Sequence, residues 1–511
     1  MMPSATRTGP WSVAGRVAAA VAAALVTVAC MVGPDYHRPE AVASMPEAYA
    51  GAVQEWKTAM PRADLPKGPW WEVFGDPELN RLETEAASAN QDIRAAAARF
   101  AQARASADVA RSGLFPRIGA AFLGLRQHDS ENRPLNSTGE AAGQGFTYDN
   151  FVLPFDASYE VDLWGRVRRQ LESARASEQA GADDLEGVKL SVAAEVAGDY
   201  FALRALDAEL SALQESIEAY RSSLKLTQNR RAAGLSSDLD IAQAETVLNS
   251  AAAQLPALER TRLQFEHALA VLDGKPASLF YLEAAPLEVT PAAIAPGVPS
   301  TLLERRPDIS AAERRMASAN AAIGVAKSAF FPVLRLSGVA GFQSIESGTL
   351  LSVPSQFWAV GPSLVLPLFQ GGQRRAGVRS AEARYEETVA TYRQTVLKAF
   401  AEVEDNLAAQ RLLDEQYERE KAAYLSARWQ LELAQNRYRG GLVSYLQVTA
   451  AQSAALEHER TVARLRGQRF VAAVALIKSL GGGSEEEVQR PASFSPALPV
   501  SAPASETSGA Q

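Results

Sequence analysis

Two stretches of this chain carry no proline for about 100 residues each, between Pro154 and Pro256 and between Pro367 and Pro491. Proline removes a backbone donor and clashes with the preceding turn. Its absence over such lengths, in runs rich in Ala, Glu, Gln, Arg and Leu, predicts long helices rather than compact domains. Each stretch is interrupted once by a glycine turn. Residues 229–235 read Asn-Arg-Arg-Ala-Ala-Gly-Leu and residues 436–442 read Asn-Arg-Tyr-Arg-Gly-Gly-Leu, an offset of 436 − 229 = 207 residues. Glycine supplies a left-handed backbone position that ends one helix and lets the next begin. Gly234 with Leu235, and Gly441 with Leu442, are therefore expected to be the tips of two helical hairpins.

The helices beside the two turns keep the same phase. Val389, Val396, Val403, Tyr417, Tyr424, Leu431 and Tyr438 fall on one seven-residue repeat, interrupted at Gln410. The earlier copy carries Val196, Leu203, Leu210, Ile217 and Leu224 at the corresponding places. A sustained spacing of seven favours helices packed side by side as coiled coils. A tandem duplication is the simplest reading. A helix over 166–231 would be about 100 Å long at ~1.5 Å per residue. It carries Arg, Glu and Asp throughout and must stand in water.

The remaining segments follow from local signals. Residues 1–29 read as a signal peptide: Arg7 and Arg16 precede the uncharged run 17–29, which is too short to span a bilayer. Cys30, the chain's one cysteine, follows Thr27-Val28-Ala29 and resembles the first mature residue of a bacterial lipoprotein, although Thr27 stands where Leu is usual. Residues 30–75 read as a lipidated extended arm. A first repeat over 76–274 comprises a short helix, strands at about 115–125 and 148–163, a long helix 166–231 and a return helix 236–272 in which Pro256 marks a bend or splice. A linker spans 275–303. The second repeat over 304–481 has a short helix, strands at about 333–343 and 357–369, a long helix 371–439 and a return helix 443–480. Residues 482–511, with Ser, Pro and Ala in excess, are expected to be disordered.

Several function classes are excluded by inventory. The net charge of −8 is spread out, with no basic block for nucleic acid. Four histidines, no Cys-x-x-Cys pair, no phosphate-binding glycine loop and no nucleophile beside a base argue against an enzyme and against a metal or other cofactor. A covalent lipid on Cys30 is the one attached group expected.

Gly33-Pro34-Asp35-Tyr36, Glu304-Arg305-Arg306-Pro307-Asp308-Ile309 and the run from Ala322 to Pro332 resemble the outer-membrane efflux lipoproteins related to TolC and OprM. Phe331-Pro332 also echoes Phe115-Pro116. The chain has only four strand candidates, and a sheet in lipid must close on itself. About eight strands is the practical minimum for a membrane barrel. A shared barrel is required if these strands enter lipid. The resemblance implies a mainly α chain with a small membrane β-barrel, built as a trimeric TolC-like tunnel in which two β-hairpins per chain contribute to one barrel. It also implies an outer-membrane location with a periplasmic helical extension. The implied partners are two further copies of the chain, a periplasmic adaptor (membrane fusion protein), an inner-membrane RND transporter and outer-membrane lipid.

The same resemblance assigns the periplasmic aperture to residues just beyond the turns: Asp240 and Asp238 in the first repeat, and Tyr438, Leu446 and Gln447 in the second. The related pattern has an aspartate where this chain has Ala450 and an arginine where it has Ser453, so a charged gate from the second repeat is not expected. The function implied is the outer-membrane channel of a tripartite, RND-type multidrug or solute efflux system. The alternatives are a channel for type I protein secretion and a non-channel periplasmic coiled-coil adaptor. An adaptor should carry one helical hairpin between compact β domains rather than two hairpins with paired strands.

Overall fold

The computed structural model of the chain describes residues 31–40, 68–130, 145, 147–285, 287 and 305–482. The expected signal peptide, Cys30, most of the extended arm, most of the linker and the tail lie outside the described residues. The chain divides into two compact units, one formed by residues 1–43, 97–185 and 308–396, the other by 44–96, 186–307 and 397–511.

The duplication is visible in the long helices and the turns that follow them. Helix α3 spans Arg166–Ala232 and α7 spans Gln373–Arg439, each 67 residues long, with 373 − 166 and 439 − 232 both equal to 207. The return helices begin at Asp238 and Tyr445, again 207 apart. They end in Gly274 and Gly481, both with positive φ. One offset therefore relates the two copies from the start of the long helix to the end of the return helix.

The copies differ at one proline. The first return segment is two helices, α4 (Asp238–Ala252) and α5 (Leu255–Leu272), so the break expected at Pro256 is a splice. Pro256 occupies the second position of α5, where a missing N–H costs nothing. Its counterpart is Ala463, and helix α8 (Tyr445–Ser479) runs through unbroken. The first short helix is likewise split, into α1 (Pro77–Ala89) and α2 (Gln91–Ser112). Asn90 is the reason: its side-chain oxygen accepts from the N–H groups of Asp92 and Ile93 at 2.9 and 3.1 Å, which caps a new helix. In the expected extended arm, Trp70–Phe74 forms a 3-10 turn.

In the first unit a five-stranded antiparallel sheet contains β1 (Arg117–Ala120), β2 (Leu123–His128), β3 (Thr147–Val161), β4 (Val333–Ser344) and β5 (Gln356–Val365). β1 and β2 both pair with β3, which pairs with β4, which pairs with β5. The single strand expected at 115–125 is thus two. Pro154 on β3 accepts a hydrogen bond from the Ala121 N–H at 3.1 Å but has no N–H to return, and the ladder breaks there. β5 ends at Val365, two residues before Pro367, rather than at 369.

The segment 31–40 is docked within this unit, on α3, α6 (Pro307–Ser328) and α7. The buried Arg169 donates to Asp35 and to Glu172, both at 2.8 Å. Asn320 donates to the Pro34 carbonyl at 3.0 Å, and the Tyr36 hydroxyl donates to Glu313 at 2.5 Å. Arg38 donates to the Tyr392 hydroxyl at 2.7 Å.

The second unit is built around Trp70, Phe74, Leu79, Leu82, Val196, Phe201, Leu203, Leu269, Phe470 and Val474. The rings of Phe201 and Phe470 stack at 4.6 Å. Alongside, Arg262 donates to Asp207 at 2.6 Å and to Glu266 at 2.9 Å, and Glu266 accepts the Leu282 N–H at 2.8 Å. Every charged group in that buried set has a partner, as a low-dielectric site requires.

Candidate functional site: sheet faces and helical turns

Strand register decides which side chains share a face, because successive residues alternate. Leu334, Leu336 and Phe342 of β4 pair with Val161, Tyr159 and Leu153 of β3. Across β4, Leu334 and Leu336 pair with Leu364 and Pro362 of β5, while Gly338 and Ala340 pair with Val360 and Trp358. Ile118 on β1 joins the same face opposite Ala157. This face is apolar and open: Trp358, Val360, Leu364 and Ile118 are all highly exposed in the single chain. The opposite face carries Arg335, Ser337 and Gln343 from β4, Glu160, Ser158 and Asp156 from β3, and Arg117 from β1. Arg126 and Asp149 interrupt the apolar face near one end, and Leu123, Leu125, Val333 and Val365 stand among the charged residues of the other. A sheet with one mainly apolar exposed face and one that carries charged residues suits a wall between hydrocarbon and water. Among the described residues, the outer edges of β1 and β2 and of β5 have no strand beside them.

The two glycine turns, in the second unit, have the same hydrogen bonds. Leu235 N–H donates to the Arg230 carbonyl at 2.8 Å and Gly234 N–H to Arg231 at 2.9 Å. Leu442 N–H donates to Arg437 at 2.9 Å and Gly441 N–H to Tyr438 at 3.0 Å. These paired bonds form the Schellman motif, which needs the left-handed φ of 75° at Gly234 and 73° at Gly441.

The expected aperture residues have distinct surroundings. Asp240 is the third residue of α4 and closes a capping box with Ser237. Its carboxylate accepts from the Ser237 N–H at 2.9 Å and the Ser236 hydroxyl at 2.8 Å. Partial burial works to raise its pKa; the hydrogen bonds from the Ser237 backbone and from the Ser236 and Ser237 hydroxyls outweigh it and hold the carboxyl below its ordinary value. Asp238 is fully exposed and accepts from Arg231 at 2.8 and 3.2 Å; the guanidinium keeps its carboxyl low.

Tyr438 does not stand open to solvent. It is 6 % exposed, with the Tyr445 ring at 5.1 Å, the Arg230 guanidinium over its face at 4.9 Å and its hydroxyl 3.3 Å from Ser236. A seven-residue phase that makes it a seam residue also makes it a packing residue. Leu446 and Gln447 are exposed at the second and third positions of α8. Gln447 stands 207 residues beyond Asp240 and is its counterpart. Leu235, Leu442 and Leu446 are each more than half exposed, and so is Leu239, which the sequence reading did not single out.

A polar cavity that no local sequence pattern marks lies at the root of the sheet. It measures about 620 Å³ and is walled by α2, α3 and the charged sheet face, with Arg117, Glu160, Arg166 and Arg335 in its lining. Their juxtaposition depends on strand register, which a single-sequence pattern does not supply. Among the described residues no group of three or more His, Cys, Asp or Glu could hold a metal ion. No helix among them is long and apolar enough to cross a membrane, which leaves the sheet untouched as a membrane element.

With this geometry in place, comparison with known proteins is specific. The family model described as outer membrane efflux protein matches residues 82–275 and 298–482. The pyoverdine export outer membrane protein OpmQ of Pseudomonas putida is 35% identical over 83% of this chain and 90% of its own. The probable efflux pump outer membrane protein TtgC of the same species is 32% identical over 91% of this chain and 95% of its own. Among solved structures, the CmeC outer membrane channel of Campylobacter jejuni superposes with a TM-score of 0.80 at 27% identity, covering 90% of this chain and 97% of that one. The chain belongs to the outer membrane efflux protein family, a family of transport proteins rather than enzymes.

Proposed function

We propose that this chain is one third of an outer-membrane conduit that serves a tripartite, RND-type efflux system. The observation that carries the reading is the sheet: one face mainly apolar and exposed, the other carrying the charged residues Arg117, Glu160 and Arg335, and two outer edges unpaired among the described residues. An open edge in hydrocarbon leaves backbone groups without partners, each costing several kcal/mol. Copies of the same sheet joined edge to edge remove that cost. Three copies of four strand positions give a twelve-stranded barrel. The long helices, charged along their length, continue the wall into water. The similarity to OpmQ and TtgC, export and efflux proteins of the outer membrane, supports the direction of transport.

The turns are read as the periplasmic mouth, where Asp240, Asp238, Leu446 and Gln447 border the aperture and the exposed leucines meet a periplasmic adaptor. Cys30 is read as the lipid anchor. Its neighbours support this: Val32 N–H donates to the Trp164 carbonyl at 3.1 Å, and Met31 lies against Gly165, so the chain beside Cys30 is held where β3 gives way to α3. A lipid attached there starts beside the sheet.

Reconstitution tests the reading. Protein extracted from outer membranes is expected to open large, persistent conductance steps in a planar bilayer and to restore export of a pump substrate in a strain lacking its own outer-membrane component. A protein that is folded, inserted and non-conducting under all conditions would exclude the conduit.

A further inference from the structure

The cavity at the root of the sheet has a charge balance that the conduit reading leaves unexplained. Its lining includes three arginines, Arg117, Arg166 and Arg335, and a single carboxylate, Glu160. Glu160 is committed to Arg166 through two parallel hydrogen bonds of 2.8 Å each. That leaves a net charge of 3 − 1 = +2 in one wall, with the surplus on Arg117 and Arg335. Among the described residues neither of these two side chains is in an ion pair. Register explains why both reach the same space: Arg335 is opposite Glu160 across the β3–β4 ladder, and Arg117 is opposite Ser158, two residues away on β3. The next acid on this face, Asp156, lies over Gly119 and is not part of the lining.

The remaining wall is mixed. Ser106, Ser158, Gln170 and Ser173 contribute hydroxyl and amide groups that can meet a hydrated ligand, and Val109, Ala110, Phe115, Val167 and Ala174 line the helical side. Arginine presents a planar fork of donors that fits carboxylate and phosphate oxygens, and two such forks without a carboxylate of their own attract a polyanion. Lipid headgroups are not the natural ligand, because both arginines are on the sheet face opposite Leu334, Leu336 and Trp358, the face open to hydrocarbon.

We propose that the Arg117–Arg335 cavity is an anion-binding station inside the conduit, which takes solutes bearing two or more carboxylate or phosphate groups in passage. The inference rests on the conduit reading and names a solute class for it. Rings of basic side chains favour anions in other pores for the same electrostatic reason. Three copies would place six surplus positive charges around one lumen.

The experiment uses the purified full-length assembly in planar bilayers of neutral phosphatidylcholine, with citrate as the probe. Citrate in the millimolar range is expected to lower single-channel conductance at least several-fold, and the effect should weaken as KCl is raised, since exposed charges are screened within about 10 Å at 0.1 M salt. The double variant Arg117→Gln, Arg335→Gln is expected to conduct without citrate block and to shift its reversal potential in a KCl gradient toward cation preference. Arg117→Lys with Arg335→Lys should retain most of the block, which separates charge from misfolding. Titration of the detergent-solubilised parent with citrate by calorimetry gives a second readout that needs no variant. Conducting parent channels without citrate block and without heat of binding would overturn the station and leave the conduit standing. Block that persists unchanged in the Gln variant would also overturn it. Absence of any conductance from the parent would instead contradict the conduit reading, and the station with it.

Discussion

A methyl group placed on Gly33 would lie 2.4 Å from the Cα of Gly324, well inside van der Waals contact. Two glycines nearly 300 residues apart in sequence therefore allow the segment 31–40 to lie flat on α6. Gly33 also has a φ of 107°, which L side chains rarely adopt. The contact neighbours are equally specific: a methyl on Gly324 would lie 2.8 Å from the Val32 carbonyl oxygen and 2.9 Å from Arg169. The Gly-Pro-Asp-Tyr stretch is thus recognisable in sequence because each residue is used, as a close approach, a carbonyl acceptor, an ion pair and a hydroxyl donor in turn.

Gly33→Ala is expected to loosen this segment at a cost of about 1–3 kcal/mol, from strain and overpacking together. Protease sensitivity within residues 31–40 and a lower thermal midpoint are the measurements. Cleavage and melting indistinguishable from the parent would show that the segment is not docked as described.

Glu83 makes a pH prediction. It is almost fully buried, one of its oxygens has no hydrogen-bond partner, and burial, with the Asp273 charge adding to it, pushes its pKa up to about 9. A carboxyl raised in the folded state stabilises nothing by ionising: its protonated form is the compatible one below the unfolded pKa, and stability is lost as pH rises toward 9. Glu83→Gln should therefore gain on the order of 1–3 kcal/mol at neutral to alkaline pH and little at pH 4. Thermal melts of parent and variant across pH 4–9 check it. A difference that does not grow with pH contradicts the assignment.

Asp240 separates capping from ion selection. Its carboxyl is held low, so its stabilisation is present above the ordinary carboxylate pKa and lost as pH falls through the depressed value. Asp240→Asn keeps an acceptor for Ser237 but removes one charge per chain. Reduced cation preference in single-channel recordings, strongest at low salt, is expected, with a stability loss of about 0.3–1 kcal/mol. Unchanged selectivity would reduce Asp240 to a helix-end acid.

The sheet makes the membrane prediction. Val360→Arg places a charge on the exposed apolar face, and near the bilayer midplane this costs about 2–4 kcal/mol. Ser337→Arg, on the charged face, should be tolerated. The yield of heat-resistant assembly in outer-membrane extracts distinguishes them. Equal yields would mean that the faces are assigned the wrong way round.

How much of this could be read from sequence depended on whether the signal was local. The 207-residue offset, the left-handed glycines and the effect of Pro256 were legible because each acts along its own helix. Pro154 was not, since the strand it interrupts is the one across the ladder, between Ala120 and Leu123. Asn90 stands inside a helix-prone run, and its capping role depends on where its side chain lies over the next turn. Tyr438 fitted both a seam and an aperture, and only its packing against Tyr445 and Arg230 separates them. No local pattern marks Glu83 as buried, and Arg117 and Arg335 are 218 residues apart with nothing in their neighbourhoods to connect them. Long-range register and burial, rather than periodicity, carry those features.

The central claim is that one chain supplies a third of a closed barrel, and copy number tests it most directly. Native mass spectrometry of protein extracted from outer membranes into mild neutral detergent, followed by insertion of the same fraction into planar bilayers, is the measurement. The account predicts a species of three chains that conducts, and no conducting species of one chain. A stable, folded, conducting monomer would contradict it, because the two open edges of the sheet would then be satisfied without any partner copy.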